Sequence, residues 1–241
     1  MPSPAEVAAY AAIIGQISDL ATDKVAALVA AAPTRETLLE AYPEVLDPYL
    51  AAATQVSTEW YQSLAPDEPF EVDTPAPIAR EALVANARWA VTELDAVEAL
   101  VGSADRQVFT AARDTVAHNA RREGVRFARQ PQPDACAWCR MLATRGADYF
   151  TKANAEKGHA GCRCAGVADR PGNPYVEPDY VGPWHTDYNN AALAESGTDD
   201  VVNNMRRKRY AERSDEINAQ QRKWYRARKD RAKTAPVDLD A

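Results

Sequence analysis

Cys136-Ala-Trp-Cys139 and, after a gap of 19 residues, His159-Ala-Gly-Cys162-Arg-Cys164 gather all four cysteines of a 241-residue chain into 29 positions. One of its three histidines falls in the same stretch. The pattern is two ligand-rich knuckles joined by a loop, which is the spacing of a tetrahedral zinc site. A thiolate pair two residues apart wraps one side of an ion, and the loop carries the second group to the other side. Five candidate ligands, Cys136, Cys139, His159, Cys162 and Cys164, compete for four positions. In a regular strand Cys162 and Cys164 would point to opposite faces, so both reach one ion only if the chain bends. His159 and Cys162, three apart in a turn, converge more easily. The preferred tetrad is therefore Cys136, Cys139, His159 and Cys162, with Cys164 as the rival.

Three other readings stand beside this one. The cysteines pair as disulfides, or they are reduced and merely packed, since a buried cysteine behaves as a small hydrophobe. Their neighbours are Gly, Arg, Asp and Lys rather than an apolar run, which favours metal. A thioredoxin-type dithiol wants a strand before C-x-x-C and a βαβ context. Gln130-Pro-Gln-Pro133-Asp134 reads instead as a loop.

Upstream of the cysteines the sequence reads as helix. Ser3-Pro4 caps and opens a first helix whose stripe is Val7, Tyr10, Ile14, Ile17, Ala21, Val25 and Leu28. Pro33-Thr34 starts a short second helix through Leu39, and Asp47-Pro48 starts another with Leu50, Ala53, Val56, Trp60 and Leu64 on one face. Four prolines in 65–77 mark a loop. Leu83, Ala87, Ala90, Leu94, Val97 and Val101 then predict one helix broken at Gly102-Ser103, with Ser103 capping the next through about Arg122 and Gly124 ending it. Such helices suit an antiparallel bundle.

Around and beyond the cysteines the character changes. Val125–Ala128 reads as a short strand, Cys139–Arg145 as one or two helical turns stopped at Gly146, and 166–187 as an irregular segment. Two helices close the chain, over about 198–211 and 214–232. The second has only a thin stripe of Ile217, Gln221, Trp224 and Arg228. The fold class is mainly α: an N-terminal helical bundle, a small α+β cysteine-rich, zinc-knuckle-like module, and basic C-terminal helices. The expected units are a helical domain over 1–124, a Cys/His metal-binding module with an irregular tail over 125–187, and a basic helical arm over 188–241.

Charge is unevenly placed. The chain carries a net −7, but residues 205–233 hold 12 Lys/Arg against 4 Asp/Glu. An acidic body with a basic arm predicts an electrostatically active C-terminus, or else a solvated, salt-bridged helix. No apolar run reaches a membrane span, and Met1-Pro-Ser-Pro-Ala-Glu lacks the form of a secretory signal. A reducing cytoplasm during synthesis is the expectation, which again favours metal over disulfide.

Arg113-Asp-Thr-Val116, Cys136-Ala-Trp-Cys139-Arg-Met-Leu-Ala-Thr-Arg-Gly146, Tyr149 and His159-Ala-Gly-Cys162-Arg-Cys164 together resemble the minor head proteins of tailed bacteriophages. The broad family is that of phage Mu F-like head-morphogenesis proteins. The closer likeness is to a branch in actinobacterial phages, often labelled minor capsid or capsid-maturation protein. The match covers about 110–165, with Ala160 where many relatives have Pro or Asp. The resemblance implies a low-copy virion component at the capsid interior or portal vertex. It would be made in the host cytoplasm, act in head assembly beside the portal, and contact the portal and other head components.

The maturation-protease label is the first alternative. Asp114 and His118 fall on one helix face, and His185 sits in Gly-Pro-Trp-His-Thr-Asp. Neither comes with a G-x-S-x-G nucleophile motif or H-E-x-x-H, so no catalytic residues are assigned and the expectation is a protein that is not an enzyme. The second alternative is a DNA-binding zinc module inside the head. Arg206, Arg207, Lys208, Arg209, Lys223 and Arg226 would hold phosphates, with Trp224 and Tyr225 interleaved. An acidic protein surface satisfies the same charge.

Overall fold

Seven α-helices and one two-stranded sheet make up the described residues of the computed structural model, which are 2–32, 34–64, 70–93, 95–149, 161–194, 198–212 and 214. The first helix, α1 (Pro4–Ala31), opens on a reciprocal cap. Ser3 Oγ accepts from the Glu6 amide, and Glu6 Oε2 accepts from the Ser3 amide at 2.7 Å. Its buried stripe is Val7, Tyr10, Ile14, Ser18, Ala21, Val25 and Val29. Ile17 and Leu28 lie at the edge rather than inside. Ser18 takes the inner place because its hydroxyl has a buried partner, Asp105.

The next helix, α2 (Arg35–Ser63), runs without interruption through Pro43 and Pro48. The two shorter helices expected here are one element. A proline inside a helix costs about 3 kcal/mol or more through its missing N–H and its ring clash. Burial of Leu38, Tyr42, Leu46, Leu50 and Ala53 on the neighbouring helices outweighs that. Trp60 stacks on Tyr10 of α1 with ring centroids 4.9 Å apart, and Tyr10 Oη meets Ser57 Oγ at 2.7 Å.

After the extended segment 70–79 come α3 (Arg80–Ala90) and α4 (Ala96–Glu123). The break falls at 91–95 and not at Gly102-Ser103. Asp95 is the N-cap, accepting from the Glu98 amide at 2.9 Å. Gly102 lies within α4, and Ser103 is buried there. Leu94 lies outside the described residues. Gly124 ends α4 in the left-handed region, with φ +75°.

The chain then enters β1 (Arg126–Gln130), which pairs antiparallel with β2 (Ala165–Asp169) in the register Ala128 opposite Val167. Between them lies α5 (Ala137–Ala143), followed by the turn at Gly146, φ +57°. The stretch 166–187 is thus not irregular throughout. It begins in β2 and ends in a 3-10 turn (Asp179–Val181) and α6 (Gly182–Ala194). The low β-propensity of Ala-Gly-Val-Ala conceals the strand, which exists through its pairing and its fit. Gly166 lies so close to α4 that a Cβ there would stand 3.1 Å from Val116 Cβ.

Ala165 and Val167 belong to the apolar cluster of α1 to α4, so the sheet is seated in the helical body. A second cluster joins Tyr61, Val116, Phe127, Met141, Tyr149 and Ala168 to Val201, Val202 and Met205 of α7 (Thr198–Glu212). The first basic helix therefore packs on the body through its apolar side. Arg170, 2 % exposed, closes the other end of β2. It donates to Glu123 Oε2 and to the Tyr61 carbonyl, both at 2.8 Å, with its guanidinium 3.9 Å from the centre of the Tyr61 ring. The second expected basic helix, 214–232, lies outside the described residues except for Ser214. Among the described residues no helix is long and apolar enough to cross a membrane.

Candidate metal centre

The first knuckle is built by the start of α5. Cys136 is its N-cap, with Sγ accepting from the Cys139 amide at 3.4 Å, and this turns both sulfurs to one side. The second knuckle follows Gly161, whose φ of +79° bends the chain before β2 begins. Cys162 and Cys164 lie in that bend, ahead of the regular strand, and both are buried. The alternation of a regular strand therefore does not govern these two cysteines.

Cys139 Sγ lies 3.2 Å from Cys162 Sγ, and the sulfurs of Cys136, Cys139 and Cys162 all fall within 4.8 Å of one another. All four cysteines are free. With Zn–S bonds of about 2.3 Å, sulfurs on a tetrahedral zinc stand about 3.8 Å apart. The observed spacings bracket that distance, so the donor set fits a soft divalent ion. Cys164 is buried against Cys139 and Cys162, but its sulfur does not belong to the trio that lies within 4.8 Å of one another. His159 lies outside the described residues.

Two buried arginines face these sulfurs. Arg129 of β1, 1 % exposed, points Nη2 and Nε at Cys164 Sγ, at 2.6 and 3.2 Å. Arg113 of α4 donates from Nη1 to the Cys162 carbonyl at 3.1 Å and lies 3.8 Å from Cys164 Sγ. A hydrogen bond from Cys139, helped by the charges of Arg129 and Arg113, holds the Cys164 thiol well below its ordinary range despite burial. Cys139 moves the other way, because it shares its proton with the sulfurs of Cys136, Cys162 and Cys164 in a buried place.

The second knuckle is also moored from outside. Asp105 of α4 accepts from Gly161 N at 3.2 Å and from Ser18 Oγ at 2.8 Å. Arg163, between the two cysteines, reaches Asp105 at 3.0 Å and Asp19 of α1 at 2.8 Å. Sequence reasoning had Arg113 and Arg163 in view as parts of a motif but missed Arg129 and Asp105. Arg129 lies just past the strand expected over Val125–Ala128, and four successive buried positions in β1 hide any alternation that would have marked it.

The other residues singled out lie elsewhere. His118 Nε2 meets Asp73 Oδ2 of the 70–79 segment at 2.9 Å, and His185 Nε2 meets Glu177 at 2.9 Å. Arg206 and Arg207 are exposed on α7. Lys208 pairs with Asp187 of α6, and Arg209 donates to the Asp134 carbonyl at 2.8 Å, so these two cations bind the body of the protein. Lys223 and Arg226 lie outside the described residues.

Residues 1–191 match the model of a family described as VG15 protein, a span that takes in the helical body, the sheet and both knuckles and stops before α7. No curated protein and no solved structure matches the chain.

Proposed function

The chain belongs to the VG15 protein family, a bacteriophage virion-related family, and from that premise we propose that it is a minor capsid protein acting in head morphogenesis beside the portal. The observation that carries the reading is the match over 1–191 together with the motif it encloses, in which C-x-x-C and H-x-x-C-x-C resemble Mu F-like head proteins. A structural zinc ion is part of this reading. Cys139, Cys162 and Cys164 are buried, and a closed thiolate site stabilises a fold rather than offering an open position for a reacting water. Cys136 and Cys139 from the start of α5, with the second knuckle, would hold the ion, which ties α5 to β2.

We take the chain to have no chemistry of its own. Among the described residues the hydrogen-bond partners of His118 and His185 are carboxylates rather than a hydroxyl or thiol nucleophile. The partners belonging to this reading are the portal and other head components, with the exposed cations of the C-terminal arm meeting an acidic surface or packaged DNA.

The test is a phage lacking the gene, complemented with the full chain or with Cys139→Ser. Head yield, portal content and DNA content would be measured, and virions would be examined for the chain by mass spectrometry. Loss of normal heads without the gene, and the chain found in virions at low copy, are expected. Normal heads in its absence, with none of the chain in wild-type virions, would overturn the proposal.

A further inference from the structure

We propose that the groove between the 76–79 end of the extended segment, α3 and α4 binds an organic carboxylate, with Arg106 as the group that holds it. The groove has a volume of about 570 Å3, and its lining includes Ala79, Asn86, Arg106, Gln107, Thr110 and Asp114. That is the size of a site for a small molecule or a short stretch of peptide. Arg106 is half-buried in its wall. Its Nη2 donates to Asn86 Oδ1 at 3.1 Å and lies 3.5 Å from Ser103 Oγ, both neutral oxygens. Among the described residues it has no ion pair, and its Nε and Nη1 have no hydrogen-bond partner. Arg163 and Arg170, by contrast, pair with the carboxylates of Asp105 and Glu123. The contacts to Asn86 and Ser103 hold the guanidinium in place, which removes part of the ordering cost of binding.

The neighbouring groups are donors as well. Gln107 is 4 % exposed, and its Oε1 accepts from Tyr42 Oη at 3.2 Å. Its Nε2 is buried without a partner. Buried donors are nearly always satisfied, so one left over in the lining of a groove marks where an acceptor belongs. Thr110 Oγ1 accepts from Arg113 at 3.1 Å, which leaves its own hydrogen to donate. Ala79, the N-cap of α3, supplies no side-chain cap, so the positive end of that helix adds to the field, and Glu81 of its first turn is not in the lining. The charge count selects the kind of anion. Arg106 brings one positive charge, and its planar fork matches the two oxygens of a carboxylate. Asp114 lines the groove eight positions further along α4, about 12 Å away by helical rise. It has other contacts within the chain, and its charge disfavours a phosphate dianion while suiting a ligand that is neutral or cationic beyond its carboxylate. A free zwitterionic acid and an acidic side chain of a partner protein share that chemistry.

Nuclear magnetic resonance on the isotope-labelled full chain tests the site with four probes: acetate, 6-aminohexanoate, a blocked tetrapeptide with glutamate first and lysine last, and inorganic phosphate. Saturable shifts at the side-chain amides of Asn86 and Gln107 and at the Arg106 guanidinium are expected with the carboxylates, with a Kd of about 1 mM or tighter for the best of them. Tighter binding of 6-aminohexanoate than of the peptide would identify a free small molecule as the source, and the reverse order a partner side chain. No saturable shift with any carboxylate would overturn the proposal, and phosphate binding more tightly than all three would overturn the carboxylate assignment. Arg106→Gln should weaken binding by about 10- to 100-fold, the range for a hydrogen bond to a charged group. Asn86→Asp tests the same point with the cation kept. It places a carboxylate of the protein's own beside Arg106, and should block the ligand while the thermal midpoint holds at the wild-type value or above. Wild-type affinity in both variants would remove Arg106 from the site and the proposal with it.

Discussion

Arg163 Nη2 lies 3.0 Å from Asp105 Oδ1, so the residue between the last two cysteines is tied to the middle of α4. The same carboxylate accepts from Ser18 of α1 and from the Gly161 amide. Asp105 is 6 % exposed and gathers three donors that would otherwise have to find other partners. The described part of the second knuckle, 161–164, is therefore held in place by the helical body. Asp105→Ala strands the buried Ser18 hydroxyl and the Gly161 N–H. It should destabilise the protein by about 2–4 kcal/mol, with Arg163 contributing little because it is partly solvated. Denaturant unfolding of the metal-loaded chain checks this, and a change under about 0.5 kcal/mol, the size of an ordinary surface substitution, would show that Asp105 is not an anchor.

Metal removal should be felt beyond the knuckles. Ala165 and Val167 follow Cys164 directly and sit among the side chains of α1 to α4. Freeing the cysteines loosens β2, and β2 is part of that core. Hydrogen exchange on the chelated protein is expected to show lost protection at 126–130 and 161–169 and at the facing turns of α4 near Arg113 and Val116. The ends of α1 and α2 far from the sheet should remain protected. Exchange that changes only within 130–149 would mean that the module responds on its own.

The contact of Gly166 with Val116 yields a sharper test of that packing. A Cβ at 166 would stand 3.1 Å from Val116 Cβ and 3.2 Å from Cγ1, closer than side chains normally pack. Gly166→Ala should cost about 1–3 kcal/mol, as overpacking of a rigid core does. Val116→Ala alone should cost about 0.5–2 kcal/mol, as removal of buried methyl groups does. The double variant should be more stable than the sum of the two single losses, because the second change opens the space that the first one fills. Strict additivity in a double-mutant cycle would contradict the contact.

Much of the helical body was legible in the sequence because caps are local. Ser3-Pro-Ala-Glu6 and Gly124 mark ends that the structure keeps. Pro43 and Pro48 mislead for the opposite reason. Their signal is local, while the continuity of α2 comes from burial of Tyr42, Leu46 and Leu50 against helices far away in the chain. The start of α4 was also written locally, in Asp95-Ala-Val-Glu98, but Gly102 carried the competing signal and lost to tertiary packing. At the site, cysteine spacing alone placed the two knuckles near each other. The arginines and Asp105 could not be read that way, since Arg129 finds Cys164 across 35 positions and Asp105 finds Gly161 across 56.

Alkaline pH probes the same core through its tyrosines. Burial pushes Tyr42 and Tyr149 up to about 12 and raises Tyr10, Tyr61 and Tyr175 as well. Each raised group favours the folded state fully below the unfolded tyrosine value of about 10, and that contribution is lost as pH rises through the folded value. Tyrosinate absorbance should therefore lag behind that of the unfolded chain between about pH 10 and 12 and then rise together with loss of helix. Early tyrosinate formation with the helices intact would show that these phenols are not buried.

Charge reversal in the C-terminal arm separates docking from folding. Lys208 pairs with Asp187 and Arg209 with the Asp134 carbonyl, so reversing all four residues of 206–209 would disturb the body as well as any partner. Arg206 and Arg207 are exposed, and Arg207 has other contacts within the chain, so Arg206→Glu is the cleaner single change, with Lys223→Glu and Arg226→Glu added farther along. Twelve Lys/Arg against four Asp/Glu in residues 205–233 repel one another unless an acidic surface lies against them. The triple reversal should lower incorporation into heads while leaving metal content and thermal stability at wild-type levels. Binding of the wild-type chain to purified portal or to DNA should weaken as salt rises, because screening shortens the reach of exposed charges to about 8 Å at physiological ionic strength. Incorporation of the reversed chain at the wild-type level, across the whole salt range tested, would mean that the arm is a solvated segment with no docking role.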